Sequence, residues 1–125
     1  MSMRRSRQTT KILKMETHEM ERVASTVVEG LNVQTDMGRE IVKVALECIK
    51  LFDEKQLDYG SSNIAASGEI GIAVRLQDKV SRMRHILLKG MRGNGEVNNE
   101  PLVDSYQDAA NYGMIGMLLN RKVWK

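Results

Sequence analysis

The sequence predicts an all-α protein, an antiparallel bundle of about four helices. Aromatic residues are only 4% of the chain, while nine Met and a single Phe supply flexible thioether and aliphatic side chains that suit packed helices better than a β-sandwich. There is one Pro in 125 residues. Apolar residues recur three and four apart in several long stretches, and Gly-rich or Asn-rich breaks separate them.

A chain of 125 residues is long enough for one domain with a real core and short for two. Its 42% apolar and 28% charged content is globular. The net charge of +3 is local in origin, because Arg4, Arg5, Arg7, Lys11 and Lys14 meet no acid before Glu16. Residues 1–35 are therefore read as a basic N-terminal arm and helix, and residues 36–125 as the main helical domain. The arm is either a solubilising tail or a weak contact to polyanions such as nucleic acid. No apolar run follows the Arg cluster, so it does not read as a secretory signal, and no segment reaches 18 consecutive apolar residues, so no membrane span is expected. The lone Cys48 has no partner for an internal disulfide and no Cys-His cluster for zinc, which fits a reducing cytoplasm. It falls on an apolar stripe and reads as a buried small hydrophobe.

Residues 1 to about 10 lack periodicity. From Ile12 to about Glu29, Met15, Met20, Val23 and Val27 give a helix with a weak stripe, which Gly30 stops. Within it Glu16-Thr17-His18-Glu19 has two carboxylates at i, i+3, readable either as a metal pair or as ordinary surface. Leu31 to Gly38 is a linker, with Thr35 or Asp36 available to cap the next helix.

The second helix is expected from about Met37 to Asp58, with Ile41, Ala45, Cys48 and Phe52 as its core stripe. Its opposite face pairs Glu40 with Lys43 and Glu47 with Lys50, a solvated pattern. Gly60, Ser61 and Ser62 then break it, and residues 60–68 are expected as a loop of small residues. A third helix, from about Glu69 to Lys89, has Ile72, Leu76, Val80, Met83 and Leu87 on its core face. Arg75, Asp78, Lys79, Arg82 and His85 form a basic ridge beside it, with His85 partly buried. The segment from Lys89 to Asn99 is a flexible connection and a candidate lid.

The fourth helix, Asn99 to Leu119, carries two patterns. Pro101 suits its first turn, and Asn98 or Asn99 can cap it. Glu100, Asp104, Asp108 and Asn111 fall within roughly 80° of arc at about 100° per residue, a ladder of oxygen ligands with no Lys or Arg between them. Val103, Tyr106, Ala110, Met114 and Met117 occupy a separate arc with core-facing spacing. The ladder is either a solvated acidic face, or a site for a hard cation such as Mg²⁺ or for basic side chains of a neighbouring helix. The ridge on the third helix supplies such side chains, either as salt bridges or as a clamp on a polyphosphate. After Leu119 the tail is basic, and Trp124 is expected on the core or against another subunit.

Together, Lys55-x-x-Asp58-Tyr59-Gly60, Gly71-x-x-x-Arg75-x-x-Asp78-Lys79-x-x-Arg82 and Glu100-x-x-x-Asp104-x-x-x-Asp108-x-x-Asn111-Tyr112 resemble the nucleotide-modification-associated domain family, small helical proteins common in phages and their hosts. The resemblance covers about Phe52 to Leu119. The second half is also similar, more distantly, to the all-α nucleoside triphosphate pyrophosphohydrolases of the MazG and dCTPase type. Those enzymes hold Mg²⁺ with ExxE and ExxD motifs and split the α,β-phosphoanhydride with a metal-activated water. Here the acidic spacing is four rather than three, and the only ExxE, at Glu16–Glu19, lies some 80 residues upstream.

These resemblances imply a nucleotide-binding protein, homo-oligomeric and cytoplasmic in a bacterium or a phage-infected host, acting as a Mg²⁺-dependent pyrophosphohydrolase on NTPs or dNTPs. Asp58, Glu100, Asp104 and Asp108 would ligate the metal, with Asp104 and Asp108 catalytic. Lys55, Tyr59, Arg75, Lys79, Arg82, Asn111 and Tyr112 would hold the nucleotide and its phosphates. One alternative is a non-catalytic phage-type binder that sequesters or senses a nucleotide, even a cyclic one, for which the basic ridge matters more than the acidic ladder. A second is a structural helical adaptor.

Overall fold

The computed structural model describes the backbone of residues 3–93 and 99–125, and the side chains of residues 17–93 and 99–125. The Arg4–Lys14 cluster, Glu16, the stripe residues Ile12 and Met15, the tip of the candidate lid and the Asn98 cap therefore lie outside the described side chains. The described residues form four helices and no strand: α1 Met3–Gly30, α2 Asp36–Tyr59, α3 Ser62–Met91 and α4 Asn99–Asn120. The chain is all-α, as its composition and periodicity predict. It divides into two units, residues 1–50 and 51–125, with the boundary inside α2. Among the described residues, no helix is long and apolar enough to cross a membrane.

In the first unit, α1 extends back to Met3, into residues where no periodicity predicts a helix. Arg, Lys, Gln and Met all have good intrinsic helix propensity, which needs no amphipathic pattern. Its C-terminus is a Schellman motif: Asn32 N–H donates to Glu29 O (3.1 Å) and Val33 N–H to Val28 O (3.0 Å), with Asn32 at φ 53. Thr35 caps α2, its Oγ1 accepting from Gly38 N–H at 2.9 Å. A Cβ on Gly38 would meet Thr35 Oγ1 at 2.7 Å and Val33 Cγ1 at 2.8 Å, so the cap needs glycine there. Ala24, Val42 and Cys48 are buried. Ile41 and Ala45, expected in the core, are exposed; the buried line runs one residue on, through Val42.

In the second unit, α2 ends at Gly60 (φ 69), whose N–H reaches back to Gln56 O at 2.9 Å. This is an αL cap, and only glycine takes it without strain. The expected loop after it is largely helical: α3 already begins at Ser62 and is interrupted at Gly68, at φ 61, ψ −153. That conformation is essentially restricted to glycine, so it kinks the helix without ending it. The kink folds Ser67 over Gly71 so closely that a Cβ at Gly71 would collide with the Ser67 side chain.

Beyond the kink, α3 and α4 pack as an antiparallel helical hairpin. Ile64, Ile72 and Ile115 form the buried cluster, with Phe52, Leu76, Tyr112, Leu119 and Trp124 packed against it. The tail is brought back by a second Schellman turn at Lys122 (φ 60), whose N–H donates to Leu119 O at 3.0 Å while Val123 N–H donates to Leu118 O at 3.1 Å. Trp124 thereby reaches Phe52 edge-on, with ring centroids 6.1 Å apart.

Several expected core positions are corrected. Ile72, Leu76 and Met83 turn inward, but Val80 and Leu87 are exposed, as is His85. On α4 the buried residues are Leu102, Ser105, Asn111 and Ile115, and the stripe through Val103, Tyr106, Ala110, Met114 and Met117 faces outward. Both faces of α4 are apolar enough to read as core, so periodicity alone cannot choose between them.

Candidate functional site

The end of α2, the kinked start of α3 and the middle of α4 enclose a cavity of about 310 Å³, with Trp124 closing one side. Every residue lining it belongs to residues 51–125. Two hydrogen bonds fix its walls. Gln56 Nε2 donates to Ser61 Oγ at 2.5 Å across the Gly60 turn, and the Trp124 indole N–H donates to Ser61 O at 3.1 Å.

Asp108 is the electrostatic centre. Its Oδ1 accepts from Lys55 Nζ at 2.7 Å and its Oδ2 from Lys79 Nζ at 2.9 Å. The Asp108 side chain is 18% exposed and that of Lys79 21%, whereas Lys55 is 47% exposed. Burial pushes the Asp108 carboxyl pKa up, but the hydrogen bonds and positive charges of Lys55 and Lys79 outweigh it and hold the pKa below the usual carboxylate range. One carboxylate thus orders two cations from two other helices. Arg75, one turn before Lys79 on α3, lies over the Tyr112 ring with its Cζ 5.9 Å from the centroid.

Asn111 is buried and lines the same cavity, and its Oδ1 has no hydrogen-bond partner among the described residues. An unpaired buried acceptor costs about 1–3 kcal/mol. A donor group entering the cavity would remove that cost. Phe52, Tyr112 and Trp124 supply aromatic surface, and the exposed Tyr59 sits at the rim.

Of the residues that the sequence singles out, Lys55, Tyr59, Arg75, Asp108, Asn111 and Tyr112 line the cavity, and Lys79 joins it through Asp108. Arg82, Asp58, Glu100 and Asp104 are exposed and do not line it. The ladder on α4 is therefore split. Asp108 and Asn111 lie where the end of α2 comes within reach of α4, while Glu100 and Asp104 are on turns nearer the N-terminus. The described residues contain no group of three or more His, Cys, Asp or Glu placed to share a metal. With both Asp108 oxygens already bonded to lysines, the carboxylates do not fit a Mg²⁺ held by several of them.

Phe52, Gln56, Asn63, Ile64, Ile115 and Trp124 also line the cavity without having been marked as site residues by any motif, and Gly60 completes the lining. Of these, Phe52 and Trp124 carried a signal, as the single Phe and the single Trp of the chain. In comparisons with known proteins, no protein family, no curated protein and no solved structure matches this chain.

Proposed function

We propose that this chain is a nucleotide-binding protein, and that its ligand enters the cavity between α2, α3 and α4. The observation that carries the reading is that one cavity is lined by Lys55 and Arg75, by aromatic rings and by the orphaned Asn111 carbonyl, with Lys79 bound to the Asp108 carboxylate that also lines it. Guanidinium and ammonium groups suit phosphate oxygens. A base placed against Tyr112 and Trp124 would present a ring N–H or amino group to Asn111 Oδ1. A cavity of about 310 Å³ is at the small end for a whole ligand, which favours the base inside and the phosphates toward Lys55 at the open side.

The reading favours retention of the nucleotide over its cleavage, because the acidic residues that would hold Mg²⁺ in a pyrophosphohydrolase are not gathered around Asp108. Trp124 lines the cavity and is the only Trp, so intrinsic fluorescence reports occupancy directly. Titration with nucleoside mono-, di- and triphosphates, with and without Mg²⁺, is expected to give a saturable change for at least one of them. A ligand at 100 times its Kd adds about 2.7 kcal/mol of stability. Arg75→Ala and Asn111→Ala should weaken binding, while Asp104→Ala leaves it unchanged. No response to any nucleotide would overturn the proposal. Recovery of cleaved ligand, with cleavage lost in Asp104→Ala, would restore the hydrolase reading.

A further inference from the structure

The outer face of α4 is apolar, and none of the described residues covers it. Val103, Tyr106, Ala110, Met114 and Met117 are all exposed, Tyr106 at 50% and Met117 at 55%, on nearly the opposite side of the helix from Leu102, Ser105 and Ile115. A helix that is apolar on two faces is normally covered on both. Scattered apolar residues on a surface need no explanation, but five in one continuous stripe over four turns do.

The order of the stripe identifies its occupant, because it is symmetric about Ala110 in position and complementary in charge. Tyr106 and Met114 lie four residues to either side of Ala110, and Val103 and Met117 seven to either side. The ends carry opposite charge: the exposed Glu100 and Asp104 precede Ala110, and the exposed Arg121 and Lys122 follow it. If a second α4 is laid antiparallel across the first at Ala110, Tyr106 meets Met114 of the other copy, and Val103 meets Met117. Glu100 then falls beside Arg121. Aromatic rings and thioethers pack favourably, and the antiparallel order also opposes the two helix dipoles. A parallel pairing would set Glu100 against Glu100 and Arg121 against Arg121. Ala110 at the crossing lets the backbones approach, and beside it the space that a Gly113 Cβ would fill is open. An isologous two-fold contact requires a surface complementary to itself, which this stripe is.

We infer that two copies of this chain associate through an antiparallel α4–α4 contact with its two-fold axis at Ala110. This is independent of the ligand reading, because the stripe faces away from the cavity and contains none of its lining residues.

Cysteine pairing tests the geometry, with the wild type, whose only thiol Cys48 is buried, as the control. A disulfide needs Cα atoms about 4.4–6.8 Å apart. Ala110→Cys places two thiols at the axis and should cross-link readily on mild oxidation. Val103→Cys places them about 20 Å apart, at 1.5 Å rise per residue over seven residues on each side, and should not. The double variant Val103→Cys with Met117→Cys should cross-link again. Sedimentation equilibrium of the wild type should give at least twice the 14.1 kDa of one chain, and Met117→Asp should lower that mass while its helical circular dichroism is retained. A wild-type chain that sediments as a monomer at tens of micromolar would overturn the inference. So would cross-linking of Val103→Cys without that of Ala110→Cys.

Discussion

Replacing Asp108 by Asn tests the organisation of the site most directly, since Asn keeps the shape and removes the charge that holds Lys55 and Lys79. A charge-assisted hydrogen bond contributes roughly 1.5–3 kcal/mol when sheltered from water. The Lys79 bond, with both side chains about one fifth exposed, belongs near the lower end of that range. Lys55 is almost half exposed, so its pair is discounted to about 0.5 kcal/mol for solvent screening. The expected loss is about 2 kcal/mol. Trp124 belongs to the same unit, so its fluorescence during urea unfolding reads that loss where it occurs. A double-mutant cycle with Lys79→Met should return a larger coupling than one with Lys55→Met. The pKa of Asp108 is lowered by folding, so its contribution is complete above the ordinary carboxylate value of about 3.9 and is lost as the pH falls through the folded-state value. The difference between wild type and Asp108→Asn should therefore shrink on acidification below about pH 4. A cycle in which Lys55 couples more strongly than Lys79, or a difference that grows in acid, would refute the reasoning.

Three further perturbations have defined outcomes. Lys122→Gly should stabilise the residue 51–125 unit by about 1 kcal/mol in the same unfolding assay, because Lys122 holds a left-handed conformation at φ 60 that costs a side chain roughly 1–2 kcal/mol. Gly68→Ala should destabilise it by about 1–3 kcal/mol, since the kink at φ 61, ψ −153 is a glycine conformation. Trp124→Phe should keep the ring on Phe52 but lose the indole bond to Ser61 O, at about 1 kcal/mol, read by circular dichroism because no Trp is left to fluoresce. If the Ser61 turn shapes the cavity, nucleotide affinity should fall in that variant as well, measured by calorimetry.

Much of the architecture was legible in the order of residues. Helix ends were readable because caps are local: Thr35 before α2, Gly60 after it and Pro101 in the first turn of α4 act through their own backbone, whatever packs nearby. The kink at Gly68 was not, since residues 60–68 are small and polar enough to read as a loop, and helix on both sides of it depends on Ile64 finding the Ile72–Ile115 cluster. Arg75 and Lys79 could be singled out by their shared ridge on the third helix, whereas Lys55, 20 residues upstream of Arg75, entered only through the family resemblance. That Asp108 is the partner shared by Lys55 and Lys79 could not be read, because the ladder offers Asp104 and Asp108 with equal chemistry.

The sequence by itself determined that the chain is helical, where all four helices end to within about two residues, and where α2 and α4 begin. Only the tertiary structure decided which side of α4 is inside. Both sides carry apolar residues at helical spacing, and burial depends on where α2 and α3 come to lie, which no local pattern encodes. That placement turned Asp108 and Asn111 into the cavity, left Glu100 and Asp104 in solvent, and put the Val103–Met117 stripe on the outer surface.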